Sequence, residues 1–222
     1  MGRPPSSREI QLATNRLRAD LDENGLLLAH DSLLPSATYS VAGERIEGSW
    51  WGHPKGNLIY EALQQVAPDV ARVKLVGGKS TLVHRRLWPA LGAVARSGQP
   101  WQTDGLRDDE LALFENVERS GSVRTDTLGK PARRAALVKR LESRLLVYSE
   151  TEHTESGKHV KLLIPFRAWQ KQAGLSDSEL PSIESALDAL TAPVRGWVGD
   201  RLEGLLPWLP PAPQRRSRRG RR

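Results

Sequence analysis

Apolar positions recur every three or four residues near the start of the chain and predict an amphipathic helix over residues 8–24. The repeating positions are Ile10, Ala13, Leu17 and Leu21. Gly25 follows directly and indicates the end of the helix. The next segment, residues 26–48, has no such period and is interrupted by proline and glycine, which predicts an irregular connection.

The pattern changes to helix, hairpin and helix after the first fifty residues. Pro54 suits the first turn of a helix, where its missing N–H is not needed. Two β-rich runs then flank Gly77-Gly78, a pair typical of a tight hairpin turn. A further helix is predicted to begin at about Pro89. The first predicted domain therefore covers residues 1–105.

The second predicted domain, residues 106–175, has the clearest order of elements. An acidic first turn opens a helix at residues 108–120, and a second, basic helix begins at Pro131 after a short connector. Two β-rich arms then flank a polar turn at Gly157. This order resembles winged-helix DNA-binding proteins. The resemblance implies that the third helix enters the major groove of DNA and that the hairpin touches the backbone.

The resemblance places cations on the third helix and on the hairpin. Those of the helix are Arg133, Arg134, Lys139 and Arg140, and Lys158 belongs to the hairpin. The hairpin departs from the usual pattern because it also carries three acidic residues. These are Glu150, Glu152 and Glu155. Like charges would repel phosphates there unless neighbouring cations outweigh them.

A fainter likeness is to winged-helix DNA glycosylases that excise alkylated bases, in which several winged-helix units are combined. Residues 53–97 are the candidate for a second unit. The Gln-x-Gln or Gln-x-Asp pattern of that group is not convincingly present, since Gln64-Gln65 lacks the spacing. No catalytic residue is therefore carried over from this likeness.

The chain ends in an amphipathic segment and a basic tail. A helix is predicted over residues 178–191 within a third segment, residues 176–212, whose last leucines and Trp208 are expected to pack back on the body. The net charge is +7, and the tail, residues 213–222, carries six arginines. Without these six, 27 basic and 26 acidic residues remain. We expect a disordered tail attracted to nucleic acid, and its candidate contacts are Arg215, Arg216, Arg218 and Arg219.

Two further clusters could carry chemistry. His53 stands beside two tryptophans and is the candidate general acid or base, with Glu47 and Glu61 as the nearest carboxylates in sequence. The alternative is that His53 caps a helix and the tryptophans are core. Arg85 and Arg86 form a candidate phosphate clamp, because guanidinium groups make forked hydrogen bonds to phosphate oxygens.

Several kinds of site are excluded or not expected. The chain has no cysteine, which excludes disulfides, thiolate catalysis and cysteine-based zinc sites. The segment VGGKST lacks the earlier glycine of a phosphate-binding loop and reads as strand, turn and strand. We expect no cofactor, no metal and no membrane span, and a cytoplasmic location, associated with the nucleoid if the source is bacterial.

Taken together, the sequence predicts an α+β protein that is mostly helical with two β-hairpins and a winged-helix-like C-terminal half. The predicted function is binding of double-stranded DNA through that half and the basic tail, with RNA left open as a ligand. A DNA-repair enzyme of the winged-helix glycosylase type and a protein-interaction module are the alternatives. Whether the chain is an enzyme, and its oligomeric state, stay open.

Overall fold

Helices and two small sheets make up the computed structural model, which describes residues 4–153 and 159–209. The helices are α1 (Ser7–Asn24), α2 (Ala37–Ala42), α3 (Gly56–Val66), α4 (Trp88–Ala95), α5 (Pro100–Thr103), α6 (Asp108–Ser120), α7 (Pro131–Ser143), α8 (Phe166–Gln172) and α9 (Ile183–Val198). The strands are β1 (Leu26–Leu28), β2 (Val70–Lys74), β3 (Ser80–His84), β4 (Val123–Arg124), β5 (Tyr148–His153) and β6 (His159–Ile164). The α+β class, the helical majority and the two hairpins are as the sequence predicts.

The same order of elements occurs twice. Both sheets are three-stranded and antiparallel, with strand orders β1-β3-β2 and β4-β6-β5. In the first unit, residues 7–84, the order is helix, strand, short helix, helix and hairpin. The second unit begins at residue 108 and ends at residue 164, and a 3-10 turn, Thr125–Thr127, replaces the short helix. The repeat therefore begins at α1, so residues 53–97 contain only part of the first unit.

The first strand of each unit was not predicted. Gly25 ends α1 in the left-handed conformation, with φ 73°, and its N–H donates to the carbonyl of Leu21. That conformation suits glycine and turns the chain back along the helix. Leu26 then pairs with Val83 of β3, in a segment expected to be irregular. A strand of three residues is too short to show a clear alternation. In addition, all three of its side chains are buried, so apolar and polar residues do not alternate along it.

Gly77 and Gly78 turn the first hairpin, as predicted. Both have positive φ, at 58° and 65°, which favours glycine. The last pair of the ladder is Lys74 with Ser80, so the turn is longer than two residues. Along β2 the side chains of Ala71 and Val73 are buried and Arg72 between them is exposed, which matches the alternation of apolar and charged residues in this run.

Three apolar clusters hold the elements together. The first lies under α1, α2 and α3 and includes Leu27 and Leu82. The second, inside the second unit, includes Leu163. The central cluster takes Leu26 and Val83 from the opposite face of the first sheet. It also takes Ile164, Leu91, Trp169 and Leu190 from β6, α4, α8 and α9. Each sheet therefore buries both faces, one against its own helices and one against the centre.

The C-terminal segment packs on this centre, as expected. Leu206 is buried in the central cluster, and the indole N–H of Trp208 donates to Thr191 Oγ1 at 3.1 Å. The N–H of Gly77 donates to the carbonyl of Leu205 at 2.7 Å. These contacts hold the C-terminal segment against the central cluster and the first hairpin.

Element limits differ from the prediction in three places. The helix expected at 178–191 begins later, at Ile183, because Ser182 caps it, and it continues through Pro193 to Val198. Helix α3 begins at Gly56 rather than at Pro54. Helix α8 was not expected. The predicted domain boundaries stay a prediction, although the central cluster draws residues from the first three of the four segments.

No helix in residues 4–153 and 159–209 is both long and apolar enough to cross a membrane.

Candidate nucleic-acid interface

A basic cleft lies where β2 of the first unit meets α7 and β6 of the second. Two cavities of about 200 and about 310 Å³ share Lys74, Glu142 and Lys161 in their walls and so adjoin each other. We define the basic cleft by its charged residues: Arg72, Lys74, Arg134, Lys139, Glu142, Glu150 and Lys161. Five of these are cations and two are carboxylates, and they come from four elements, β2, α7, β5 and β6.

The alternation of β2 explains why two cations point into the cleft. Ala71 and Val73 turn inward to the central cluster, so Arg72 and Lys74 project from the opposite face. Helix α7 contacts β2, along which Arg72 is exposed and Lys74 is half-buried. Arg72 remains charged even though burial lowers the pKa of its guanidinium.

Of the two carboxylates in the cleft, Glu150 is half-buried, whereas Glu142 is buried. Glu142 is only 6% exposed, and its Oε1 accepts a 2.5 Å hydrogen bond from Lys161 Nζ. A buried carboxylate needs such a partner. Two carboxylates do not balance five cations, so the cleft carries an excess of positive charge.

Lys74 lies among the charges of the cleft. Burial lowers its pKa most, Glu142 raises it, and the like charges of Lys161, Lys139 and Arg72 lower it. A group that is surrounded by like charges gains free energy when an anion enters. The cleft is therefore suited to bind a phosphate group.

An aromatic cavity of about 420 Å³ adjoins the basic cleft along β5. Trp88, Tyr148 and Trp169 line it, together with the polar side chains Gln64, Arg72, Glu150 and Gln172. The rings of Trp88 and Trp169 meet edge to face at 5.9 Å, and Tyr148 lies 5.5 Å from Trp169. Burial raises the pKa of the Tyr148 phenol, which therefore stays neutral. Arg72 and Tyr148 belong to both sites.

The four cations predicted on α7 have different surroundings. Arg134 and Lys139 line the basic cleft, and Arg134 Nη1 also donates to the carbonyl of Thr125 at 3.1 Å. Arg133 instead forms a forked pair with Asp109, with distances of 2.9 and 3.3 Å. That pair lowers the pKa of the Asp109 carboxyl. Arg140 is exposed on α7.

Arg85 and Arg86 lie away from the basic cleft, in the 3-10 turn after β3. Arg85 Nη1 is 3.5 Å from an oxygen of Asp69, and Arg86 Nη2 donates to the carbonyl of Glu23. Neither residue lines the basic cleft or the aromatic cavity. The phosphate clamp at these two residues stays a prediction.

His53 sits at the turn before α3. Its Nδ1 accepts from the backbone N–H of Lys55 at 3.2 Å, and its carbonyl accepts from the N–H of Gly56. The carboxylate beside it is Glu44, with 3.7 Å between Nε2 and Oε1, and not one of the two nearest in sequence. These contacts are those of a residue that begins a helix. The basic cleft and the aromatic cavity do not include His53, and its catalytic role stays a prediction.

His84 ends β3 and precedes the candidate phosphate clamp. Its Nε2 lies 3.3 Å from Asp22 on α1, while its buried Nδ1 has no hydrogen-bond partner. Burial lowers the pKa of His84, and Asp22 opposes that shift. His84 and His53 therefore contact different carboxylates, on α1 and after α2 respectively.

Some predicted contacts lie outside the described residues. These are Lys158 of the hairpin and the tail residues Arg215, Arg216, Arg218 and Arg219.

Three residues of the basic cleft were missed as site residues: Arg72, Lys74 and Lys161. The alternation of β2 was the available signal, because it set two cations on one strand face. Nothing in the sequence showed that β2 meets α7, since α7 begins 57 positions after β2 ends.

The Gln-x-Gln spacing does occur in the chain, at Gln170 and Gln172, contrary to the expectation from the sequence. Gln170 is buried and accepts a 2.5 Å hydrogen bond from Arg96. Gln172 is exposed and lines the aromatic cavity. Two positions apart on a helix is about 200° of rotation. The two amides therefore point to opposite sides of α8 and do not converge on one substrate.

Comparison with known proteins adds one distant similarity. No protein-family model matches the chain, and no curated protein matches it. A solved structure, the Streptomyces sahachiroi DNA glycosylase AlkZ, superposes with a TM-score of 0.45 at 13% sequence identity. The match covers 87% of this chain but 57% of that one, so the chain spans a little over half the length of its structural neighbour. A similarity this distant assigns no function to the chain.

Proposed function

We propose that the protein binds double-stranded DNA, with the basic cleft on the phosphate backbone. The observation that carries this proposal is the convergence of five cations from β2, α7 and β6 on a cleft that holds two carboxylates, Glu142 and Glu150. Ordinary surface charge alternates in sign and is hydrated. Here the cations face one another across the junction of two units, an arrangement that a polyanion stabilises.

The repeated element order supports a further step, that each unit is a winged helix. Both units have the order helix, strand, short helix or 3-10 turn, helix and hairpin, and both place the last strand in the middle of the sheet. In that arrangement the third helix, α3 or α7, is the one that approaches DNA. Helix α7 carries three alanines on its exposed side, Ala132, Ala135 and Ala136, which allow close approach to a groove.

The direct test is affinity for a fully paired duplex, measured by fluorescence anisotropy across a series of salt concentrations. The proposal predicts that log K falls linearly with log salt, with a slope of about −0.9 for each phosphate contact. The chain truncated after Leu209 should retain binding, because the basic cleft lies in the body. The proposal would be contradicted if neither the full-length chain nor the truncated chain bound the duplex at low salt.

A second candidate function, an enzyme that acts on a damaged nucleobase, is favoured by the aromatic cavity. Its rings could hold a base, and Glu150 places a carboxylate on its wall for acid or base chemistry. Arg72 joins the cavity to the phosphate-binding cleft. The test is release of alkylated bases from duplex DNA by the wild type and by Glu150→Gln and His53→Ala.

Each variant tests one of the two candidate sites for the reaction. Loss of turnover only in Glu150→Gln supports the aromatic cavity, and loss only in His53→Ala supports the turn before α3. If the wild type releases no base from any alkylated duplex that it binds, the enzyme candidate is wrong and the binding proposal stands.

A further inference from the structure

Two aromatic rings are held at the surface of the first unit. Trp51 is 67% exposed and Tyr60 is 43% exposed, with 6.0 Å between ring centroids. Large aromatic side chains normally bury most of their surface. We call Trp51 and Tyr60 the aromatic platform.

The platform is anchored to the body. Trp51 stacks on Trp50 with a centroid distance of 4.1 Å and an interplanar angle of 22°. Trp50 packs in turn against the first cluster, so the outer ring rests on a fixed one. Gly56 lets this turn press on α3, because a Cβ there would lie 3.0 Å from the carbonyl oxygen of Trp50.

A continuous path leads from the platform to the basic cleft. Tyr60 and Gln64 are one turn apart on the exposed face of α3. Gln64 lines the aromatic cavity, and Arg72 and Tyr148 connect that cavity with the basic cleft. Along this path aromatic rings and an amide come first and the cations follow.

Rings that stack bases, beside cations that hold phosphates, are the combination that proteins use for unpaired strands. The third helix of the second unit presents cations at its surface, whereas α3 presents Asn57, Tyr60 and Gln64. A protein partner is the less suitable occupant, since two rings cover far less than the roughly 1,000 Å² of a specific protein interface.

We propose that the aromatic platform stacks an unpaired nucleobase of a strand whose phosphates continue into the basic cleft. This inference rests on the proposed function for the phosphate contacts only. The ligand class is DNA with an unpaired segment, such as a bulge or a gap, next to a duplex. Stacking on one aromatic ring changes affinity on the order of tenfold.

The test compares two probes of equal length, a fully paired duplex and the same duplex with a bulge of unpaired thymines. The wild type should bind the bulged probe on the order of tenfold more tightly. Trp51→Leu and Tyr60→Leu should each reduce this preference and leave the affinity for the paired duplex unchanged. Tyr39→Leu is the matched control, because Tyr39 is an exposed aromatic residue on α2 outside the path.

The outcomes separate this inference from the proposed function. A wild type without preference for the bulge, or a preference that survives in Trp51→Leu, overturns the inference. Equal loss for both probes in Trp51→Leu also overturns it, and would indicate a general contact with the duplex or with a partner protein. Affinity for the paired duplex reports independently on the basic cleft, and thermal unfolding of each variant confirms that it is folded.

Discussion

Asp31 shows how much a single buried side chain contributes to the first unit. Its side chain is almost fully buried, and Oδ1 accepts from the N–H groups of Leu33 and Leu34 at 2.8 and 2.9 Å. Its Oδ2 accepts from Lys79 Nζ at 2.5 Å. Asp31 thereby ties the connection after β1 to the turn of the first hairpin.

We predict that Asp31→Asn lowers the free energy of unfolding by about 1–3 kcal/mol, because the buried donors lose a charged acceptor. Burial raises the pKa of Asp31, but hydrogen bonds from Lys79, Leu34 and Leu33 outweigh it, so the pKa lies below its ordinary value of 3.8. The stabilisation is therefore full above pH 3.8 and is lost as the pH falls through the folded pKa. Urea unfolding over this pH range should show less acid sensitivity in the variant. Equal acid sensitivity in both proteins would contradict the assignment.

At the scale of residues the sequence could predict the cations of α7 but not their partners. The pairing of Asp31 with Lys79 spans 48 positions, and Asp31 lies in a segment without periodicity. Likewise Arg133 is predicted as a DNA contact, whereas the structure pairs it with Asp109. Ion pairs of this kind depend on tertiary packing, which composition and spacing do not encode.

Elements with a clear period were predicted well, and short or fully buried ones were not. Helix α6 has the expected limits, because an acidic first turn and Gly121 mark its ends. The strands β1 and β4 have three and two residues, too few to show alternation, and their partners lie far along the chain. Helix α3 begins later than Pro54 suggests, because the chain first makes the 3-10 turn Trp50–Gly52.

Gly56→Ala tests how this turn meets α3. An alanine favours helix by up to about 1 kcal/mol over glycine, but its Cβ would crowd the carbonyl oxygens of Trp50 and Trp51 at 3.0 and 3.2 Å. We predict that the steric cost of the Cβ exceeds the gain in helix propensity, so that the free energy of unfolding falls by about 1–3 kcal/mol. Gly52→Ala is the control, because nothing lies within 4 Å of its Cβ, and its stability should change by less than about 0.5 kcal/mol. A Gly56→Ala variant as stable as the wild type in urea unfolding would contradict the packing of the turn.

The whole molecule is organised around the central cluster that both sheets share. Helices α4, α8 and α9 fill the space between the two units, and Leu206 from the C-terminal segment completes it. The sequence predicted the fold class and, apart from β4, the element order of the second unit. It placed the candidate for another unit at residues 53–97, without α1 and β1, because β1 is too short to show alternation and because the two units differ in sequence at their third helices. The basic cleft exists only after the units are docked.

The arginine-rich tail is predicted to add affinity without adding stability. Truncation after Leu209 removes six arginines and leaves every described residue of the central cluster in place. The slope of log K against log salt for a paired duplex should decrease in magnitude by up to about 5, if each arginine neutralises one phosphate. The temperature of unfolding should not change. An unchanged slope would show that the tail does not contact DNA.

The most direct test of the account removes charge from the basic cleft. The variant Lys74→Gln with Lys139→Gln leaves the pair of Lys161 and Glu142 in place, and Arg8→Gln with Arg16→Gln removes two exposed cations from α1 as the control. The salt dependence of affinity for a paired duplex is measured for both variants and for the wild type. We predict that the slope falls in magnitude by about 2 in the cleft variant, near 0.9 for each lost phosphate contact, and that it is unchanged in the control. A cleft variant with the slope and affinity of the wild type would contradict the proposal that this cleft binds DNA.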